Sequence, residues 1–339
     1  MPTVREIAEQ ASVSISTVSL ALNNKRGVSD STRQRIVEIA AALRTQELAV
    51  AKEIRGDGRS DRPSSILILH PAQVGDDVFT KFLRGIWAAV ANTTTQLQMM
   101  VNEPDFMETN VTQLLFSDPD LAPDGVIVLG ARKEEFLVKK VLALGIPCVL
   151  CQRETDNPAL SAVGVDEAGM ATKATEHLLD LGHRAIAFAG GKPGYSYTDG
   201  RIAGYRRAMA ARGIEVPDRW VTCTWDRAAT ESIIQSSPEI TAYVFSDDGY
   251  ALQFGLPALE AAGYRVPSDV SVVAFDDIKE GAAHDPPLTS MSLPFFEMSF
   301  RAIKILEEQI HDPMLQSQHI RFSTSLNRRA SSSPPRASS

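Results

Sequence analysis

Apolar residues follow two patterns along this chain, and the change between them falls near residue 64. Beyond that point short, unbroken apolar runs recur: Ile66–Leu69, Leu97–Val101, Val126–Leu129, Cys148–Cys151, Ala185–Ala189, Val221–Thr224, Ala242–Phe245 and Val270–Phe275. Stretches with helical period separate nearly all of them, around Phe82–Ala91, Phe136–Leu144, Ala168–Leu181, Ile202–Arg212 and Leu252–Ala262. A strand that is apolar at every position is covered on both faces, and strands that alternate with helices pair in parallel. The pattern predicts an α/β fold of two parallel sheets. A changeover near Ala162-Val163-Gly164-Val165-Asp166 would leave two lobes with a cleft between them.

The first forty-four residues carry helical spacing instead. Thr3 and Glu6 are placed as a capping box, each side chain reaching the other's backbone N–H, at the start of a helix ending near Ala11. Ser12-Val13-Ser14 reads as a tight turn, and Ser14 as the N-cap of a second helix, Ile15 to Leu22, with Ser16, Thr17 and Ser19 on one flank. Ser29 caps a third, with Ile36, Ile39, Ala40 and Leu43 on one face. Three short helices so spaced form a helix-turn-helix, whose small hydroxyl side chains suit close approach to phosphates and base edges. The competing reading is a plain three-helix cap whose serines only terminate helices.

Charge follows the same division. Residues 1–62 hold ten Lys/Arg against eight Asp/Glu, a balance of +2, so the overall −8 leaves −10 on the remainder. A mildly basic head on an acidic body confines phosphate contact to the head. Met1-Pro2-Thr3 runs straight into the first helix and no apolar run reaches membrane length, so a cytoplasmic protein with no membrane partner is expected. Cys148-Val149-Leu150-Cys151 formally matches C-x-x-C. On a strand, however, positions three apart face opposite ways, and these thiols, like Cys223, are expected in a core rather than on a metal. The Gly-broken polar stretch 56–63 reads as a linker, and the serine- and proline-rich residues 329–339 as a disordered tail.

The head motifs Thr3-Val4-Arg5-Glu6-Ile7-Ala8, Val13-Ser14-Ile15-Ser16-Thr17-Val18-Ser19, Ala21-Leu22-Asn23 and Val28-Ser29-x-x-Thr32-Arg33 resemble those of LacI/GalR-type transcription regulators. The resemblance continues through Gly164-Val165-Asp166, His177-Leu178-Leu179, Leu181-Gly182-His183-Arg184, Val266-Pro267-x-Asp269-Val270-Ser271, Phe275-Asp276-Asp277 and Pro286-Pro287-Leu288-Thr289, landmarks of a periplasmic-binding-protein-like domain. It implies a DNA-binding domain over 1–47, a hinge helix and linker over 48–63 and a two-lobed effector-binding and dimerisation domain over 64–328. The expected partners are an operator duplex, a small sugar-like effector and a second copy of the chain. The resemblance places Thr3, Ser14, Ile15, Ser16, Thr17, Ser19, Leu20, Asn23, Ser29, Thr32 and, from the hinge, Ala51 and Ile54 against DNA, with Ile54 as a minor-groove wedge. The alternative is a solute-binding receptor that keeps an inactive head.

Ligands of parallel-sheet proteins bind at the carboxyl ends of the strands. There lie Gln152, Trp225, Asp247 and Asp276, with Tyr195, Tyr197 and Arg201 entering the helix beyond Gly190-Gly191-Lys192-Pro193-Gly194. The resemblance adds Phe79 from the first lobe. An aromatic face with carboxylates and one Arg suits a carbohydrate. The competing readings make Trp225 a core or rim aromatic, Asp276-Asp277 a loop cap and Arg201 the structural partner of Asp199. His183 and His284 are present, but no G-x-S-x-G, H-E-x-x-H or Walker motif appears, so neither an enzyme nor a cofactor is expected.

This sequence departs from the family pattern where DNA is read. Leu20 stands where an Arg is usual, Arg44-Thr45-Gln46-Glu47-Leu48 replaces Gly-Tyr-x-Pro-Asn, and Ile54 stands for Leu at the wedge. In the cleft Asp247 stands for a common Asn, and Leu293 for Gln or Asp. These changes predict an unusual operator and a more acidic pocket that favours a neutral sugar or glycoside.

Overall fold

The computed structural model describes residues 4–22, 27–29, 31–36, 39, 63–70, 76–101, 123–130, 138, 141–142, 145–312 and 314–336. The hinge and linker expected over 48–63, with Ala51 and Ile54, lie outside them except for Pro63, as do the expected sites Thr3 and Asn23 and most of the helix expected at Phe136–Leu144.

In the head, α1 (Val4–Ala11) and α2 (Ile15–Leu22) are followed by helical residues 31–36. Ser14 Oγ accepts from Thr17 N at 3.1 Å and Ser29 Oγ from Thr32 N at 3.2 Å, so both expected N-caps form. Ile7, Ala8, Ala11, Val18, Ala21 and Ile36 make the head's own small core. Two arginines that count toward the head's basic charge are partly used inside it. Arg33 donates to the carbonyl of Ala21 at 2.8 Å, and Arg35 to that of Ala11, satisfying acceptors at the ends of α2 and α1.

Beyond the head stand two sheets. The first orders as β10-β5-β4-β3-β1-β2, from β1 (Ser65–His70), β2 (Gln96–Val101), β3 (Gly125–Leu129), β4 (Cys148–Cys151), β5 (Ser161–Val165) and β10 (His319–Phe322), all parallel. The second orders as β11-β9-β8-β7-β6, from β6 (Ile186–Ala189), β7 (Ala242–Phe245), β8 (Ser271–Phe275), β9 (Thr289–Ser292) and the antiparallel edge β11 (Ser325–Asn327). Strands β3 to β8 are buried on both faces along their whole lengths, as unbroken apolar runs require. Cys148 and Cys151 join separate core clusters on opposite sides of β4, and burial pushes the Cys151 thiol up to about 12.

The chain leaves the first sheet at β5 through the helix Glu167–Asp180, where the changeover was expected. It crosses twice more than the pattern revealed. The helix Phe295–His311 returns to pack on the helix Asp76–Val90, with Ser299 Oγ donating to the Phe82 carbonyl at 2.9 Å, and β10 then completes the first sheet before β11 closes the second.

Two expectations are corrected. Val221–Thr224 is no strand: Val221 makes one isolated bridge to Phe188 after a short 3-10 turn. Nor are residues 329–336 disordered. Ser331 is fully buried, its N donates to the Pro287 carbonyl at 3.0 Å, and its Oγ accepts from Thr289 N at 2.8 Å while donating to the Val272 carbonyl at 2.7 Å. Ser333 N donates to Ser271 Oγ at 3.0 Å. The composition that suggests disorder here supplies the hydroxyls that saturate a buried backbone edge.

Candidate functional site

Arg201 is the centre of the site. It lies in the second turn of the helix Ser196–Ala211 and is 1% exposed. Its Nε donates to Glu167 at 2.8 Å, Nη2 to Asp276 at 3.2 Å and Nη1 to the Ser246 carbonyl at 2.6 Å. The guanidinium lies 4.7 Å from the ring centre of Phe275 and 5.2 Å from that of Tyr197. Burial works against the charge, but Glu167 and Asp276 outweigh it and raise the pKa of Arg201 further. Its carboxylate partners are Glu167 and Asp276, not the adjacent Asp199.

Helix packing explains the arrangement. A Cβ on Gly204 would meet the Ala168 carbonyl at 2.1 Å, so only glycine lets these two helices approach this closely. Asp166 caps the helix Glu167–Asp180 by accepting from Gly169 N at 2.7 Å, which sets Glu167 in its first turn facing Arg201. Asp276 leaves β8 with φ +92, and Asp277 follows with φ +50. That corner is gripped from below: Asp277 accepts from Asn327 and from Arg329, each at 2.6 Å. Asp277 therefore serves the fold and Asp276 the cleft.

Asp247 caps the helical stretch opened by Asp248–Tyr250. It accepts from Tyr250 N at 2.8 Å and from Ser246 Oγ at 2.9 Å. Burial, then the nearby charge of Asp276, pushes its carboxyl up to about 6. Burial also raises Asp276 and, against the pull of Arg201, Glu167. Asp248 is raised well above the usual range by burial, and it holds the fold by accepting from Ser290 Oγ at 2.7 Å and Ile278 N at 3.0 Å. Trp225 packs edge-on against Tyr250, centroids 5.7 Å apart, with Lys192 Nζ 4.7 Å from its ring centre. Tyr195 and Tyr197 lie 5.5 Å apart.

The second lobe thus brings Arg201, Asp276, Tyr195 and Tyr197 together, with Asp247 and Trp225 beside them. Phe79 and Gln152 sit on the first lobe, half-buried, Phe79 beside His70 at 4.9 Å and Gln152 just past β4 with φ +62. Lys81 of the first lobe spans the gap, donating to the Asp277 carbonyl at 2.9 Å. Leu293 is buried in the main core rather than lining a wall. Sequence reasoning missed Glu167. Only its position one residue past Asp166, at the changeover, could have drawn notice. His183 is a structural residue, buried and within 2.9 Å of Thr241 Oγ1 and 2.8 Å of the Ser333 carbonyl.

The head presents the other surface. Ile15 is 56% exposed, Ser14, Ser16 and Ser19 are exposed, and Thr17 and Leu20 half-buried. Ser29 is exposed and Thr32 half-buried at the next helix start. None of the exposed side chains on α2 belongs to the head's core.

A helix-turn-helix carried by a two-sheet, cleft-forming domain defines a DNA-binding transcription regulator. Residues 3–44 match the model for bacterial regulatory proteins of the lacI family, and residues 175–332 that of a periplasmic binding protein-like domain. Catabolite control protein A of Priestia megaterium is 24% identical over 94% of this chain and 96% of its own. The transcriptional repressor MelR of Bacillus subtilis is 27% identical over 96% of each. In fold, the chain is similar to the transcriptional regulator CelR in complex with cellobiose, at TM-score 0.74, 24% identity and coverage of 98% and 100%. Residues 3–44 are thus a lacI-family DNA-binding domain, joined in this chain to a periplasmic binding protein-like domain over residues 175–332.

Proposed function

We propose that the chain is a homodimeric repressor, acting in the cytoplasm and without enzymatic activity, whose operator affinity is set by a neutral sugar or glycoside held between the lobes. The observation that carries this reading is the division of labour in the molecule. One surface, on α2, holds exposed side chains that no core uses, while the other gathers carboxylates, one arginine and aromatic rings at the strand ends of the second sheet.

Ser14, Ser16, Thr17, Ser19, Ser29 and Thr32 are the phosphate and base-edge contacts, and Ile15 and Leu20 the apolar ones, suited to thymine methyl groups. Thr3 and Asn23, and Ala51 and Ile54 of the hinge, complete the interface. One head of this size and charge supplies too few contacts for tight binding, which requires two copies on a two-fold operator.

In the cleft Asp276 and Asp247 accept from ligand hydroxyls, Trp225 and Tyr195 cover an apolar sugar face, and Tyr197, Gln152 and Phe79 close the sides. CelR was solved with cellobiose, which fits a sugar as the ligand class. Lobe closure on the ligand then shifts DNA affinity by binding one arrangement more tightly than the other. Selection of operators from random DNA, then fluorescence anisotropy across a salt series and a panel of neutral sugars, tests this. A steep salt dependence and a sugar that changes affinity are expected. Failure to bind any duplex at low salt would sink the DNA reading.

A further inference from the structure

Arg201 enters the cleft with its charge already answered. A guanidinium is ordinarily the strongest receptor a protein offers to a carboxylate or phosphate. Here the Nε edge is held by Glu167 at 2.8 Å, Nη2 by Asp276 at 3.2 Å and Nη1 by a carbonyl at 2.6 Å. Asp276 is the carboxylate a ligand hydroxyl would meet, so its pairing with Arg201 serves the site directly. Glu167 needs another explanation. A glutamine would keep a hydrogen bond to Nε without burying a second negative charge beside Asp276.

We propose that Glu167 sets the charge specificity of the cleft: by occupying the Nε edge of Arg201 it reserves the site for uncharged ligands and turns away anionic ones, such as sugar acids and sugar phosphates. The inference rests on the reading of Arg201 and Asp276 as the effector site. Three observations support it. First, Glu167 is fixed. It begins a capped helix, and a Cβ on Gly200 would approach Glu167 Cβ to 2.8 Å, so the neighbouring helix holds its stem in place. Swinging the carboxylate aside to admit a ligand anion would break its ion pair with Arg201. Second, the surroundings add negative charge. Asp276 and, from the first lobe, Glu154 both repel Glu167, while Asp247 stands near Asp276. An anion reaching Arg201 must displace one fixed carboxylate and then sit beside others. Third, the other cations about the cluster already face its carboxylates: Lys192, 4.7 Å from the Trp225 ring centre, is drawn to Asp247, and Lys81 to Asp276.

The test uses the full-length protein, Glu167→Gln, and matched probes: galactose with galacturonate, ribose with ribose 5-phosphate, cellobiose with cellobionate. Inorganic sulfate against chloride at equal ionic strength serves as a probe that requires no knowledge of the effector. Affinities come from calorimetry, and thermal shifts check the sulfate arm. E167Q is expected to bind sulfate and the anionic partners about tenfold more tightly than wild type, the scale of one charge-assisted contact, while neutral sugars change far less. Glu167→Asp, which keeps the charge, should retain the wild-type preference, an outcome a purely structural role would not produce. Glu167→Asn repeats the measurement should the glutamine variant fold poorly. No gain of anion affinity in either amide variant overturns the inference, as does wild-type protein that already binds the anionic partners as well as the neutral ones. If the amide variants gain sulfate but no neutral sugar binds any protein, the charge filter stands and the neutral-sugar effector falls.

Discussion

The α2 surface and the cleft are both polar contact surfaces, yet their side chains stand in opposite relations to the fold. On α2 the fold is carried by Val18 and Ala21 on one face and by Ser14 at the cap, whose Oγ lies 2.7 Å from that of Ser16, while Ile15 projects away from all of it. In the cleft the charged groups Arg201, Asp276 and Asp247 are also structural ones. Arg201 ties the helix Ser196–Ala211 to the helix Glu167–Asp180, to β7 and to β8, and Asp247 both caps a helix and faces the site. A reading surface whose side chains lie outside the core can change its target with little effect on the fold. A pocket whose side chains are interlocked can change its ligand only by touching stability. The departure at Leu20, half-buried on α2, falls on the reading surface.

That contrast breaks most readily at Arg201. Arg201→Ala leaves Glu167 and Asp276 buried against each other without their cation, and removing one partner of a buried ion pair typically costs about 3–5 kcal/mol. Urea unfolding should show a loss of that order, together with loss of sugar binding. A loss under about 1 kcal/mol would mean that the cleft is no more interlocked than α2.

Ser331→Ala asks whether the C-terminal segment shares this interlocking. The hydroxyl accepts from Thr289 N and donates to the Val272 carbonyl, both buried, and an unsatisfied buried backbone group costs about 1–3 kcal/mol. A midpoint unchanged in urea would show that the segment is not seated in solution.

Asp247→Asn separates the capping role from the charge. Because the folded pKa of Asp247, about 6, lies above its ordinary 3.8, the folded state holds this proton more tightly than the unfolded chain. That contribution is fully present below pH 4 and is lost as pH rises through 6. The amide keeps the cap and carries no charge. The variant should therefore melt higher than wild type at pH 7.5, with the advantage fading as pH falls below 6. His183 and His177, lowered chiefly by burial, weaken both proteins alike in acid, so the difference between them is the quantity to follow. A difference in melting temperature that does not change with pH would place the charge effect elsewhere.

What could be read in the sequence follows from how local each feature is. The caps Ser14 and Ser29 act on an N–H three residues away, so the head is legible from adjacent letters. Strands such as Gly125–Leu129 and Ser271–Phe275 announce themselves because both faces are apolar. Thr289–Ser292 does not, since Ser290 and Thr289 are buried on hydroxyl pairings with Asp248 and the Arg329 carbonyl, more than forty positions off or nearly so. The alternating His319–Phe322 is likewise silent, being an edge strand with exposed positions. In the cleft, Asp247 and Asp276 stand at strand ends, and Arg201 early in the helix that follows one, where the fold class says to look. Glu167 looks like an ordinary acid in a first helical turn, and its partner is 34 residues away. Val221–Thr224 errs the other way: an apolar, β-branched run suggested a strand where the chain makes one bridge and moves on.

The smallest expected effect on stability is on α2, and it carries the other half of the comparison. Ile15→Ser removes an exposed side chain, and Leu20→Arg changes a half-buried one at the helix end; each should alter unfolding by about 0.5 kcal/mol or less. DNA binding should respond far more strongly. Loss of the Ile15 methyl contacts weakens operator binding, and an arginine at 20 can fork onto the O6 and N7 of guanine, a contact of about 1–3 kcal/mol in base discrimination. Operators selected from random DNA by the wild type and by Leu20→Arg should therefore differ at one symmetric pair of positions, with guanine enriched for the variant. Identical selected motifs would mean that position 20 does not meet a base, and that the freedom of this surface lies in the hydroxyls of Ser16 and Ser19 instead.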